Sequence, residues 1–196
     1  MVGFQRTELA PGIMVFSGVR SDYADLPEMI EDAVKYGAIS WSEATVSEGK
    51  NKDARDTDTI VVPSNLSNGT SETPRDVFYR SMRDIISNTL KRSIDDYMAN
   101  YGILYSDFEE YSILKYGAGQ KFVNHIDDHP KYHRRISMVY YMNDNYDGGE
   151  IEFPRFNIKY KPKANDLIMF PSGYAYNHSV HPVVSGTRYA IVGWIK

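Results

Sequence analysis

Two textures divide the chain. Up to about residue 102, apolar positions recur at helical spacing; beyond it, short runs of Val, Ile, Tyr and Phe alternate with turn residues. Leu26, Met29, Ile30, Ala33 and Val34 predict a first helix, with Asp25 as its N-cap, Pro27 just inside it and Gly37 as its stop. Val77, Phe78, Met82, Ile85, Ile86, Leu90, Ile94 and Met98 predict a longer helix, capped by Thr73, with Pro74 in the first turn and an end near Asn100 and Gly102. Between them, residues 43–72 are polar apart from one strand-like run at 59–62. A stretch of that length reads either as a solvated loop or as a lid over a site. After Gly102 the runs YSILKYG, KFVNHID, ISMVYYMN, GEIEF, FNIKYK, DLIMF, NHSVHPVV and TRYAIVGWI predict many short strands in a β-sandwich or barrel. The expectation is an α+β chain folded as one domain over 1–196. Helical support spans about 1–102 and an antiparallel β-barrel core about 103–196.

Composition narrows the function. A chain of 196 residues is long enough for one sizeable core. Lys and Arg number 22 against 26 Asp and Glu, a formal charge of -4, so the broad basic field of a nucleic-acid binder is missing. There is no cysteine, which removes disulfides, thiolate metal sites and cysteine nucleophiles together and fits a reducing, cytoplasmic setting. No run is long and apolar enough for a membrane span, and the N-terminal segment lacks the apolar core of a signal peptide.

All five histidines fall in the β half. His125 and Asp127 sit two apart, so on a strand both would point to one face and offer two cis ligands to a divalent metal. A third ligand from His178 or His181 would complete a 2-His-1-carboxylate facial triad, leaving coordination positions open. His129 and His133 read as turn residues. Arg188 shares a strand face with Ala190, Val192 and Trp194, where a guanidinium is costly unless an anion pairs with it. Its fork suits a carboxylate. If the strands of His178 and Arg188 formed one hairpin about Ser185–Gly186, the two would stand roughly 16 Å apart at ~3.3 Å per residue. A small diacid could not bridge that distance, so a joint site requires the two strands to face each other from opposite sheets.

These residues carry a resemblance. From about Tyr111 to Trp194 the chain resembles the prolyl 4-hydroxylase-like branch of the 2-oxoglutarate- and Fe(II)-dependent oxygenases. The match includes Tyr116-Gly-Ala-Gly ahead of Phe122, His125-Ile-Asp127, Arg134, Ser137, Val139-Tyr-Tyr-Met-Asn143 and Gly148-Gly-Glu-Ile-Glu-Phe153. It continues with Pro162, Asp166-Leu-Ile-Met-Phe170-Pro171, His178, Pro182-Val183, Gly186 and Arg188. The family places its distal His four residues before the Pro-Val pair and ten before the basic residue, which selects His178 over His181. The resemblance implies a double-stranded β-helix, a jelly-roll or cupin-like barrel flanked by N-terminal helices. It implies Fe(II) on His125, Asp127 and His178. It also implies 2-oxoglutarate as cosubstrate, with Arg188 on its distal carboxylate, Tyr141 assisting there and Tyr116 as a cosubstrate-pocket tyrosine near the iron. Arg55 and Trp194 are implied at the substrate groove.

The activity implied is hydroxylation with O2, releasing succinate and CO2, on a proline-containing peptide or protein. Dependence on ascorbate is left open by the sequence. Asp127 favours hydroxylation over halogenation, because its carboxylate fills the position a halide would need. Trp194 stands where base-demethylating relatives carry a second Arg, and no HExxH of a zinc protease occurs. The other readings are oxidation of a free amino acid or another small molecule, and a non-catalytic cupin-like metal-binding module.

Overall fold

The computed structural model describes residues 4–20, 25–45, 51–63, 73–104, 108–129, 131 and 133–196. Its elements in chain order are β1 (Gln5–Ala10), β2 (Ile13–Ser17), α1 (Leu26–Lys35), β3 (Ser42–Glu43), β4 (Arg55–Asp56), β5 (Asp58–Val62) and α2 (Pro74–Tyr101). The second half adds β6 (Tyr111–Tyr116), β7 (Lys121–His125), β8 (Ile136–Tyr141), β9 (Asp147–Gly148), β10 (Ile151–Phe153), β11 (Ile158–Tyr160) and β12 (Asp166–Pro171). The chain closes with β13 (His178–Val180), β14 (Val183–Ser185) and β15 (Arg188–Ile195).

Both helices begin and end where their capping residues direct. Asp25 accepts from the Glu28 N–H at the start of α1. Thr73 and Asp76 form a reciprocal capping box at the start of α2, and Gly102 closes that helix in the left-handed region at φ 62°. Along α2, Met82, Ile86, Leu90, Ile94 and Met98 are buried, whereas Val77 in the first turn is exposed.

Among the described residues the strands form an eight-stranded sheet ordered β1-β2-β12-β8-β15-β6-β5-β3, a five-stranded sheet ordered β11-β10-β13-β7-β4, and the pair β14-β9. Every strand pairing is antiparallel. The two sheets face each other as a double-stranded β-helix, an α+β fold with the helices packed on the outer face of the larger sheet.

That sheet is covered on both sides. Along β8, Met138 and Tyr140 pack toward the helices while Val139 and Tyr141 face the smaller sheet. Along β12, Leu167 and Met169 alternate in the same way with Ile168 and Phe170. Two buried faces explain why these strands read as unbroken apolar runs instead of alternating ones.

The first half is not helical support alone. β1 and β2 extend the large sheet through β2 on β12, and β5 joins it through β6. The division near residue 102 is therefore crossed by shared hydrogen-bonded sheet. Among the described residues no helix is long and apolar enough to cross a membrane.

Candidate metal centre

β7 and β13 lie side by side with His125 and His178 as direct cross-strand partners. Asp127 does not sit on the strand face expected from its spacing. β7 ends at His125, and a bend after Ile126 turns the Asp127 carboxylate back onto the two imidazoles. One ligand atom from each of the three lies within 4.8 Å of the others. Asp127 Oδ1 is 3.5 Å from His125 Nε2, and its Oδ2 is 3.7 Å from His178 Nε2.

The rings are oriented from behind. His125 Nδ1 is 2.9 Å from the Val123 carbonyl and His178 Nδ1 is 3.1 Å from the Tyr176 carbonyl. A carbonyl only accepts, so both rings carry a proton on Nδ1, and Nε2 is the ring atom turned toward the carboxylate. Phe122 stacks on His125 with centroids 3.6 Å apart, and Phe170 meets His178 edge-on at 4.7 Å. Burial pushes the His178 pKa down to about 4, keeping it neutral at physiological pH. Burial raises the Asp127 carboxyl, but His178, His125 and a hydrogen bond from Ser137 outweigh it and hold the pKa well below the usual carboxylate range. Two Nε2 atoms and a carboxylate thus converge within 4.8 Å of one another. That donor set, two nitrogens and one oxygen, fits a divalent transition metal.

Ser137 Oγ donates to Asp127 Oδ2 at 2.7 Å and lies 2.8 Å from Ser172 Oγ. Arg134 donates from Nη1 to the Asp127 carbonyl at 3.4 Å and from Nε to Glu109 at 2.7 Å. Its guanidinium lies 3.6 Å above the Trp194 ring.

Arg188 opens β15 in the opposite sheet, beside Tyr116 of β6. β14 pairs with β9, so no hairpin joins the His178 and Arg188 strands. Arg188 is 1% exposed, the largest side chain among the fully buried ones. Its guanidinium lies 4.7 Å from the Tyr116 ring and 5.0 Å from the Tyr141 ring. Nε and Nη1 of Arg188, with the hydroxyls of Tyr141 and Tyr146, are buried without a hydrogen-bond partner. Among the described residues no carboxylate pairs with this guanidinium, so the site presents a desolvated cation that suits a carboxylate ligand.

A cavity of about 740 Å³ joins the two halves, lined by His125, Asp127, His178, Arg188 and Tyr116, with Arg55 and Trp194 also on its wall. Arg55 sits in β4 opposite Phe122, covers that ring at 4.8 Å and donates from Nη1 to the Thr45 carbonyl at 3.1 Å. Leu114, Val139, Ile151, Val180 and Val192 supply the apolar wall.

His181 points elsewhere, with Nε2 2.5 Å from Glu152. His133 is exposed, and His129 is half-buried and borders the cavity; neither belongs to the ligand cluster. Of the polar stretch 43–72, residues 46–50 and 64–72 lie outside the described residues. Thr45, Asn51, Ala54, Thr59 and Val61 border the cavity. The sequence reading assigned no role to Ser137, Ser172, Tyr146 or Gly149. Only the paired glycines at 148–149 signalled a tight backbone passage there.

The sequence profile of the 2OG-Fe(II) oxygenase superfamily matches residues 111–196. A PKHD-type hydroxylase of Synechococcus sp. (strain JA-3-3Ab) is 32% identical over 127 residues, covering 60% of this chain and 54% of that protein. The chain thus spans about half the length of such curated relatives. A prolyl hydroxylase from Trichoplax adhaerens, solved with a hypoxia inducible factor peptide fragment, superposes with a TM-score of 0.69 at 18% identity, covering 94% of this chain and 83% of that one. A viral collagen prolyl hydroxylase from Paramecium Bursaria Chlorella virus-1 superposes with a TM-score of 0.59 at 22% identity, covering 94% and 95%.

Proposed function

We propose that this chain, whose β half carries the 2OG-Fe(II) oxygenase pattern, is a 2-oxoglutarate- and Fe(II)-dependent oxygenase that hydroxylates prolyl residues in a peptide or protein. The observation that carries the reading is one cavity holding both parts of the chemistry. Two imidazoles and a carboxylate converge on one wall, and a buried Arg188 with no carboxylate partner among the described residues stands on the other.

His125 Nε2, His178 Nε2 and Asp127 would hold Fe(II). Bound there with 2-oxoglutarate and O2, the iron supplies the oxidising power for a C–H bond, with succinate and CO2 released. The protein's own residues do the positioning. Val123 and Tyr176 fix the two ring tautomers through their carbonyls. Ser137 engages Asp127 Oδ2 and leaves Oδ1 as the freer ligand atom. Arg188, with the Tyr141 hydroxyl, takes the distal carboxylate of the cosubstrate. The Tyr116 face backs the guanidinium, and the apolar wall keeps water away. Arg55 and Trp194, which line the cavity from the two facing sheets, contact the substrate chain. The two relatives solved as prolyl hydroxylases support a prolyl peptide as that substrate.

The test is mass spectrometry of a proline-peptide library incubated with Fe(II), 2-oxoglutarate and air, with succinate quantified in parallel. Peptides that gain one oxygen in step with succinate support the reading. Succinate without peptide oxidation moves the substrate to a free amino acid or another small molecule. No succinate at all leaves a metal-binding module and sinks the enzymatic reading.

A further inference from the structure

Beside Arg188 and Tyr141 stands a third buried group, Tyr146. Tyr146 follows β8 in the loop before β9 and is 5% exposed. Its hydroxyl has no hydrogen-bond partner, like that of Tyr141 and like Nε and Nη1 of Arg188. A buried hydroxyl left unpaired is a cost that persists only where something repays it.

From these contacts we infer that Tyr146 is a binding residue for the distal carboxylate of the 2-oxo diacid, and that Lys161 is the positioning residue that holds it there. The inference rests on the oxygenase reading and adds to it a residue that neither the motif nor the resemblance singled out. A carboxylate offers about four lone-pair sites. That leaves room for the guanidinium and both tyrosine hydroxyls on one carboxylate.

Three further observations bear on Tyr146. First, Tyr146 and Arg188 both pack on Gly149, since a Cβ at that residue would lie 3.0 Å from Arg188 Cδ and 3.0 Å from Tyr146 Cε2. Second, burial raises the Tyr146 phenol pKa while the Arg188 charge opposes it, so the hydroxyl stays protonated and able to donate. Third, the loop is stapled from outside. Lys161 Nζ donates to the Tyr146 carbonyl at 2.8 Å and the Gly148 carbonyl at 2.6 Å, and it sits 3.7 Å over the Tyr146 ring. Tyr116 and Tyr141 back the guanidinium with their faces, whereas a face of the Tyr146 ring is taken by Lys161.

The test is anaerobic calorimetric titration of the Mn(II)-loaded protein with two probes. 2-Oxoglutarate uses both the metal and the distal pocket; oxalate chelates the metal and has no distal carboxylate. For Tyr146→Phe the expected result is about tenfold weaker 2-oxoglutarate binding, the scale of one hydrogen bond to a charged group, with oxalate affinity unchanged. Lys161→Met should move 2-oxoglutarate in the same direction by a smaller factor, again sparing oxalate. Unchanged 2-oxoglutarate affinity in Tyr146→Phe overturns the inference, as does equal weakening of both probes, which would mark a purely structural tyrosine. A wild-type protein that binds oxalate but not 2-oxoglutarate overturns the oxygenase reading itself, a distinct outcome from either of these.

Discussion

Ser137 Oγ donates to Asp127 Oδ2 at 2.7 Å from the facing sheet, so the carboxylate that closes the metal site is held across the barrel and not by its own strand. Removing that donor leaves a buried carboxylate oxygen without its partner. Ser137→Ala is therefore expected to weaken Mn(II) or Co(II) binding about tenfold or more, the usual scale for an outer partner of a metal ligand. Ser172→Ala, which reaches Asp127 only through Ser137, should cost less. Metal titration with circular dichroism as a folding control checks both, and equal affinity in Ser137→Ala and wild type would remove the serine from the site.

His178 and His181 are three residues apart and should behave as opposites. His178→Ala is expected to abolish metal binding and succinate formation with the fold retained. His181→Ala should keep most of both, because His181 is paired with Glu152 outside the cavity. Stripping the wild-type protein with a chelator should reproduce the His178→Ala result, and Fe(II) should restore turnover only in the wild type and His181→Ala. The reverse ranking of the two variants would mean that the ligand assignment is wrong.

Both helices are legible in the sequence because their caps and stripes act locally: Asp25, Thr73 with Pro74, and Gly102 each satisfy helix-end groups within a few residues. The strands after Gly102 are legible as runs but not as a sheet order. β8, β12 and β15 are apolar on both faces, so no alternation tells which side meets the helices. The β1–β2 hairpin is illegible for a different reason. Its role depends on β2 pairing with β12, far along the chain. At the site, His125, His178 and Arg188 stand out because their chemistry is costly to bury. Asp127 is recognisable by spacing, but a bend places it, not the strand alternation the spacing suggests. Ser137, Tyr146 and Gly149 matter through contacts formed only once the sheets close.

Gly149 cradles Arg188 in a way no side chain could share. It sits at φ 64°, and a Cβ would lie 3.0 Å from both Arg188 Cδ and Tyr146 Cε2. Gly18 has a similar φ of 71° but open space around it. Gly18→Ala should cost only backbone strain, about 1 kcal/mol. Gly149→Ala should cost about 2–3 kcal/mol, since it adds displacement of packed side chains to that strain. Urea denaturation of both variants measures the difference, and 2-oxoglutarate affinity should fall in Gly149→Ala alone. Equal destabilisation would show that the Arg188 stem yields freely.

Glu31 ties α1 to the large sheet, and its protonation should be visible in the stability of the fold. Its Oε1 accepts from Lys115 Nζ at 2.7 Å and from Tyr189 Oη at 2.8 Å. Burial raises the carboxyl, but Lys115 and Tyr189 outweigh it and set the folded pKa below the ordinary carboxylate value. A carboxyl lowered on folding stabilises the native state above its unfolded pKa, and that contribution disappears as pH falls through the folded one. Glu31→Gln should therefore melt below the wild type at neutral pH. The gap should narrow as pH drops below about 4.3, the unfolded carboxyl value, and close in stronger acid. Thermal melts of both proteins across that range test the sign. A gap that stays constant into acid would mean that the Glu31 charge contributes nothing, and that the link between α1, β6 and β15 rests on packing and the neutral hydrogen bonds alone.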